Sequence, residues 1–162
     1  MPRITPDEAG GLNICAFLDM IAVSEIGTEM LAQSDDGYNV NVGSTPAHMI
    51  TFDSYADHPN IFVHECNSDA AGRYQIMHRW WPAYKKMLAL PDFGPESQDR
   101  YAIQQIRESR AISMLLNGDI QGAIHACSHI WASLPGAGYG QHENKLAMLV
   151  DAFQQAGGKG AA

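Results

Sequence analysis

Helical periodicity fills most of this chain but lapses between residues 33 and 68, and that interruption constrains the fold more than any other feature. Before it, Leu12, Cys15, Leu18, Ile21, Ala22 and Glu25 recur at three- and four-residue steps, the spacing of one helix face. This predicts an amphipathic helix from Leu12, with Gly27 as its stop. Within the interruption, residues 33–37 are polar turn chemistry. Tyr38, Val40 and Val42 then alternate with Asn39, Asn41 and Gly43, which reads as a short half-buried strand. Residues 49–52 suit a second strand. Residues 55–68 lack any period and predict a long surface loop, a length that in compact domains usually carries function.

After Ala70 the helical period returns. Tyr74, Met77, Trp81, Tyr84 and Leu88 fall on one face, with Pro82 breaking that helix or opening a new one. Pro95 opens another, with Ile103 and Ile106 inward. Asp119 is a natural N-cap for a stripe of Ile120, Ala123, Ile124, Cys127, Ile130 and Trp131. A last helix is expected from about residue 143 to 156, ended by Gly157 and Gly158. The fold class is α+β: a mainly helical domain with a small sheet in its N-terminal third. Pro2, Pro6, Gly10 and Gly11 make residues 1–11 read as a poorly ordered leader.

The 162-residue, 46% hydrophobic chain has material for a single well-cored domain, taken as residues 1–162. No window has the apolar length of a membrane span. Met1-Pro2-Arg3 is followed by Asp7 and Glu8, unlike a secretory signal, which predicts retention in a cytoplasm. Three cysteines are too few, and odd in number, for an oxidised scaffold; Cys15 and Cys127 sit at apolar helix positions and read as core. A net charge of −8 leaves no basic stripe for nucleic acid. It also predicts long-range repulsion from any anionic polymer.

Glu25 ends an apolar stripe, which would carry a carboxyl to the edge of the core and to the negative end of a helix. Desolvation and the helix dipole both favour its protonated form, as glycoside cleavage requires of a proton donor. Ser24 precedes it and is a candidate substrate contact. Ala70-Ala71-Gly72-Arg73-Tyr74-Gln75 is read as joining a loop to a helix. Residues 134–141 form a glycine-rich loop presenting Tyr139 and Gln141. Aromatic faces and amides are the groups that bind sugars, which makes Tyr74, Gln75, Tyr139 and Gln141 candidate saccharide contacts.

Ala16-Phe17-Leu18-Asp19-Met20-Ile21-Ala22 followed by Ser24-Glu25 resembles the catalytic helix of the lambda-type phage endolysin family. The resemblance continues through Gly37-Tyr38-Asn39-Val40-Asn41-Val42-Gly43, Tyr55-Ala56-Asp57-His58-Pro59, Ala71-Gly72-Arg73-Tyr74-Gln75, Asp92-Phe93-Gly94-Pro95 and Ser97-Gln98-Asp99. Its longest block is Trp131-Ala132-Ser133-Leu134-Pro135-Gly136-Ala137-Gly138-Tyr139-Gly140-Gln141. One difference is Ile26, which separates Glu25 from Gly27 where the family pattern runs directly from Glu to Gly. The resemblance implies a lysozyme-like fold with a substrate groove whose lips are the loops of residues 55–68 and 134–141. It implies a murein lytic transglycosylase that leaves 1,6-anhydro-muramic ends, with Glu25 as acid and then base. It further implies peptidoglycan as partner and no cofactor or metal. A monomer would be held in the host cytoplasm until a holin, without direct contact, opens the way to the periplasm.

Three rivals remain. A hydrolytic muramidase would use Glu25 with Asp35 or Asp36 as second carboxylate, although adjacent aspartates in a polar segment usually just build a turn. A zinc site would draw on His58, His64, Cys66 and His78, whose spacing fits no closed pattern. A non-enzymatic wall-binding protein would use Trp80, Trp81 and Trp131, but tryptophans at helical spacing are usually core.

Overall fold

Caps and prolines set many of the element boundaries. The structure, a computed structural model, describes residues 1–138 and 143–161. Its helices in chain order are α1 (Pro6–Ala9), α2 (Leu12–Glu25), α3 (Thr28–Gln33), α4 (Trp81–Met87), α5 (Pro95–Glu108), α6 (Ile112–Leu116), α7 (Ile120–Cys127) and α8 (Leu146–Gln155). Pro82 is the second residue of α4 and Pro95 the first of α5, positions in the first turn where a missing N–H costs no helical hydrogen bond. Asp119 caps α7 through a 2.9 Å bond from Gly122 N. The first eleven residues are not the disordered leader expected from their prolines and glycines. Thr5 and Glu8 form a reciprocal capping box that nucleates α1, while Ile4 and Ala9 are buried.

The chain falls into two compact units, Met1–Ser24 with Ala102–Ala162, and Glu25–Tyr101. In the first, α2 is the central element, and its amphipathic reading needs correction. Ile14, Cys15, Ala16, Phe17 and Leu18 are all buried, and successive residues turn by about 100°, so burial sweeps the whole circumference. Leu12, placed on the inner face by its spacing, is instead 61% exposed. Each fully buried Phe or Leu here contributes roughly 1.5–3 kcal/mol. Cys15 and Cys127 are buried thiols outside any disulfide, as expected for core residues. In the same unit α7 packs on α6 and on α8.

The second unit holds the interrupted region. The alternation of Tyr38, Val40 and Val42 does not produce strands of any length; among the described residues there are isolated antiparallel bridges. Val40 pairs with Thr51, Asn41 with Ala71, and Ala71 with Ile76. Backbone bonds run from Asn41 N to Ile50 O and from Phe52 N to Asn39 O on one side, and from Val42 N to Ala70 O and Gly72 N to Val40 O on the other. The partners are those of a small sheet, but turns at Gly37 and Gly43 leave too few residues for ladders.

The segment around Tyr74 is no helix at all. Reciprocal bonds between Ala71 and Ile76, at 3.0 and 2.8 Å, close a tight hairpin, and helix begins only at Trp81. Gly72 explains the choice. Its φ is +79°, and a Cβ there would lie 2.2 Å from Gln98 Oε1. Gln98 reaches into this space to accept from Arg73 N (2.9 Å) while donating to the carbonyls of Tyr38 (3.0 Å) and Phe93 (2.8 Å). An aromatic cluster of Trp81, Phe93 and Phe52 fills the rest of the unit's interior.

Candidate active site

Glu25 is the last residue of α2 and is half-buried. Ile26 behind it is buried, and Gly27 leaves the helix at φ +82° before α3 begins. The extra residue therefore fills a core position and leaves the stop at Gly27. Ser24 sits one residue earlier with its side chain engaged in the protein. Its Oγ lies 2.7 Å from Ser133 Oγ, and Asn144 Nδ2 donates to it at 3.0 Å.

The glycine-rich segment is held from within. Glu143 spans it, accepting from Gly138 N and Gly136 N at 2.9 Å each, and these backbone donors hold its carboxyl below the usual range. Tyr139 and Gln141 lie outside the described residues. Gln75, at φ +48°, is half-buried in the hairpin and donates to Gly72 O at 3.0 Å. Tyr74 differs from the expectation of a sugar contact. It is 1% exposed, and its hydroxyl donates to Asp99 Oδ1 at 2.6 Å, so it offers no face to a saccharide.

Both aspartates of the rival mechanism are engaged. Asp36 forms a 2.8 Å ion pair with Arg73, which is 2% exposed and also lies over the Tyr38 ring. Partial burial opposes the Asp36 charge, but its hydrogen bonds and the Arg73 charge outweigh this and hold the carboxyl below its ordinary value. Asp35 Oδ2 accepts from Tyr55 OH at 2.7 Å.

Of the histidines weighed as zinc ligands, His58 is committed elsewhere. His58 is buried with both ring nitrogens used: Nε2 donates to Ile76 O at 2.8 Å and Nδ1 accepts from Asn60 N at 3.0 Å. His64 and Cys66 are exposed, and among the described residues no group of three His, Cys, Asp or Glu side chains could hold a metal ion. Burial pushes the His58 pKa below the ordinary histidine value, outweighing the bond to Ile76 O, which favours the charged ring. The native state thus disfavours a proton that the unfolded chain binds. Stability is full above about pH 6.5, the ordinary histidine value, and falls as pH drops from there towards the lowered native value. Thermal midpoints measured from pH 7.5 to 5 should show this decline, and His58→Gln should flatten it; an unchanged slope would remove His58 as its source.

A model of the Endolysin family matches residues 15–160. The chain belongs to that family. It is 51% identical over 148 residues to the endolysin of Escherichia phage lambda, covering 88% of this chain and 90% of that protein. It is 47% identical over 156 residues to the endolysin of Escherichia phage P2, covering 90% and 93%. Among solved structures it resembles the lysozyme of bacteriophage lambda in complex with a chitohexasaccharide, with a TM-score of 0.84, 47% identity and 99% of each chain covered. A second structure of the lambda lysozyme gives a TM-score of 0.80 at 45% identity, again covering 99% of each chain. The mainly helical, lysozyme-like fold of this family member is thereby established, with bridges in place of the expected sheet. Sequence reasoning named Glu25 and Ser24 as candidates but not Ser133, Glu143 or Asn144; only their position in or beside a glycine-rich segment marked them.

Proposed function

We propose that this family member is a phage endolysin that degrades peptidoglycan as a lytic transglycosylase, with Glu25 as its catalytic acid and base. The carboxyl of Glu25 protonates the oxygen linking C1 of N-acetylmuramic acid to N-acetylglucosamine, and the C1–O bond breaks. The C6 hydroxyl of the same muramic residue attacks C1 and returns its proton to the Glu25 carboxylate. One proton is given and one regained, no water is consumed, and the product carries a 1,6-anhydro ring. Gln75, Tyr139, Gln141 and Ser24 remain the candidate saccharide contacts, Ser24 through its backbone or a rearranged hydroxyl. The complex of the lambda relative with a chitohexasaccharide supports a glycan substrate.

The observation that favours transglycosylation over hydrolysis is the state of the two aspartates. A muramidase needs a second carboxylate that can activate water or attack C1. Asp36 is spent on a nearly buried arginine, and Asp35 on Tyr55. Among the described residues no helix is long and apolar enough to cross a membrane. By the family resemblance, the reading includes a monomer released to the periplasm by a holin, without direct contact and without a cofactor.

Mass spectrometry of fragments released in heavy-oxygen water tests the chemistry. Anhydro ends, lighter by one water, unlabelled and resistant to borohydride, are expected from the first turnover. Asp35→Asn and Asp36→Asn, compared at equal folded fraction, should retain activity. Reducing, labelled ends as the primary product would replace this mechanism with hydrolysis.

A further inference from the structure

The glycine-rich segment is fastened at both stems to the residue that precedes Glu25. Asn144 Nδ2 donates to the Ser24 carbonyl at 3.1 Å and to Ser24 Oγ at 3.0 Å. Ser133 Oγ meets the same Ser24 Oγ at 2.7 Å. Asn144 N in turn donates to Ser133 O at 2.8 Å, so the two stems close on each other as well. Three hydrogen bonds thus join Ser24, whose residue is only 9% exposed, to two residues more than one hundred positions away, and a fourth joins those two to each other.

The position of this clasp matters. The last four carbonyls of a helix lack intrahelical donors, and the Ser24 carbonyl belongs to that set in α2. Left to water, such a turn frays, and Glu25 would move with it. A side-chain amide supplies the missing donor from a different part of the chain, and the Ser24–Ser133 contact removes the remaining freedom of that turn. We propose that Asn144 and Ser133 are positioning residues that fix the final turn of α2, and with it the Glu25 carboxyl, for proton transfer. The proposal rests on the reading of Glu25 as the acid. It also separates two duties: Ser133 and Asn144 set the geometry of the acid, while Glu143 holds Gly136 and Gly138.

The separation gives a readout that simple loss of stability would not. Displacing a reacting group by about 1 Å costs on the order of 100-fold in rate, without requiring weaker binding. Asn144→Leu keeps volume and loses the donor. On purified uncross-linked glycan strands its kcat should fall about 30- to 100-fold with KM within about threefold of wild type. Glu143→Gln, which weakens the hold on Gly136 and Gly138, should act mainly on KM. Ser24→Ala removes the shared hydroxyl alone, and its cost should be largely absorbed in the double variant with Asn144→Leu, because both changes break one network.

Glu25→Gln measured in parallel keeps the two readings apart. If it remains active, the assignment of the acid fails. If it is inactive while folded Asn144→Leu keeps kcat within about twofold, or loses only KM, the positioning role alone is overturned. Should Asn144→Leu not fold, Ser24→Ala decides: a drop in kcat at constant KM upholds the clasp, and an unchanged kcat overturns it.

Discussion

Glu25→Gln is expected to lower wall cleavage by at least about a thousandfold, since a positioned acid or base contributes roughly 10²–10⁴ and one group here does both jobs. The amide keeps the shape of the carboxyl but has no proton to give the departing oxygen and no charge to take one from the C6 hydroxyl. Glu25 is half-buried at the end of α2, so glutamine can occupy the same space. The thermal midpoint should therefore stay close to wild type, which distinguishes lost chemistry from lost fold. Clearing of outer-membrane-permeabilised cells is the direct assay. A folded variant that clears them at near wild-type rate would show that Glu25 is not the acid.

The parts of this fold that were legible in the sequence are those fixed by local chemistry. Pro95 and Asp119 start helices because a missing N–H and a short carboxylate act within one turn. Glu25 and Gly27 mark the end of α2 for the same reason. The leader was misread although its signal was local. Thr5 and Glu8 have capping-box spacing, and the surrounding prolines and glycines obscured it. α3 and α6 were missed because helices of six and five residues show too little of a period.

Other features were decided at long range. Tyr74, Met77, Trp81, Tyr84 and Leu88 do keep a helical step, yet only the last part is helical. The turn at Gly72 and the reach of Gln98 from α5 outweigh local preference and fold residues 71–76 into a hairpin. The clasp on Ser24 is equally invisible locally, since Asn144 lies far along the chain and carries no motif. Glu25 was singled out by the family pattern around it together with its place at a helix end, whereas Ser133 and Asn144 meet Ser24 through contacts that no local pattern encodes.

The largest expected loss of stability comes from Asp99, and it bears on the corrected role of Tyr74. Asp99 is fully buried, and its Oδ1 accepts from Tyr38 OH at 2.8 Å and Tyr74 OH at 2.6 Å. The two rings meet edge to face with centroids 6.5 Å apart. Burial, followed by the Asp99 charge, pushes the Tyr74 pKa well above its ordinary value, so the phenol remains a donor throughout the working range. Asp99→Leu would strand two buried hydroxyls. Hydrogen bonds to a charged acceptor are worth about 1.5–3 kcal/mol each, so the loss should be on the order of 3–5 kcal/mol, a large share of a domain's usual stability. Tyr74→Phe removes one donor and leaves the Tyr38 bond, so it should cost about 1–2 kcal/mol in urea denaturation. Its KM on glycan strands should not change, because a buried phenol has no sugar to lose. The opposite pattern, intact stability with a raised KM, would return Tyr74 to the saccharide contacts and show that the Asp99 bond is dispensable. A loss in both would mean that the hairpin built on Gly72 transmits core packing to the binding surface; wild-type KM with lower stability confines Tyr74 to the core.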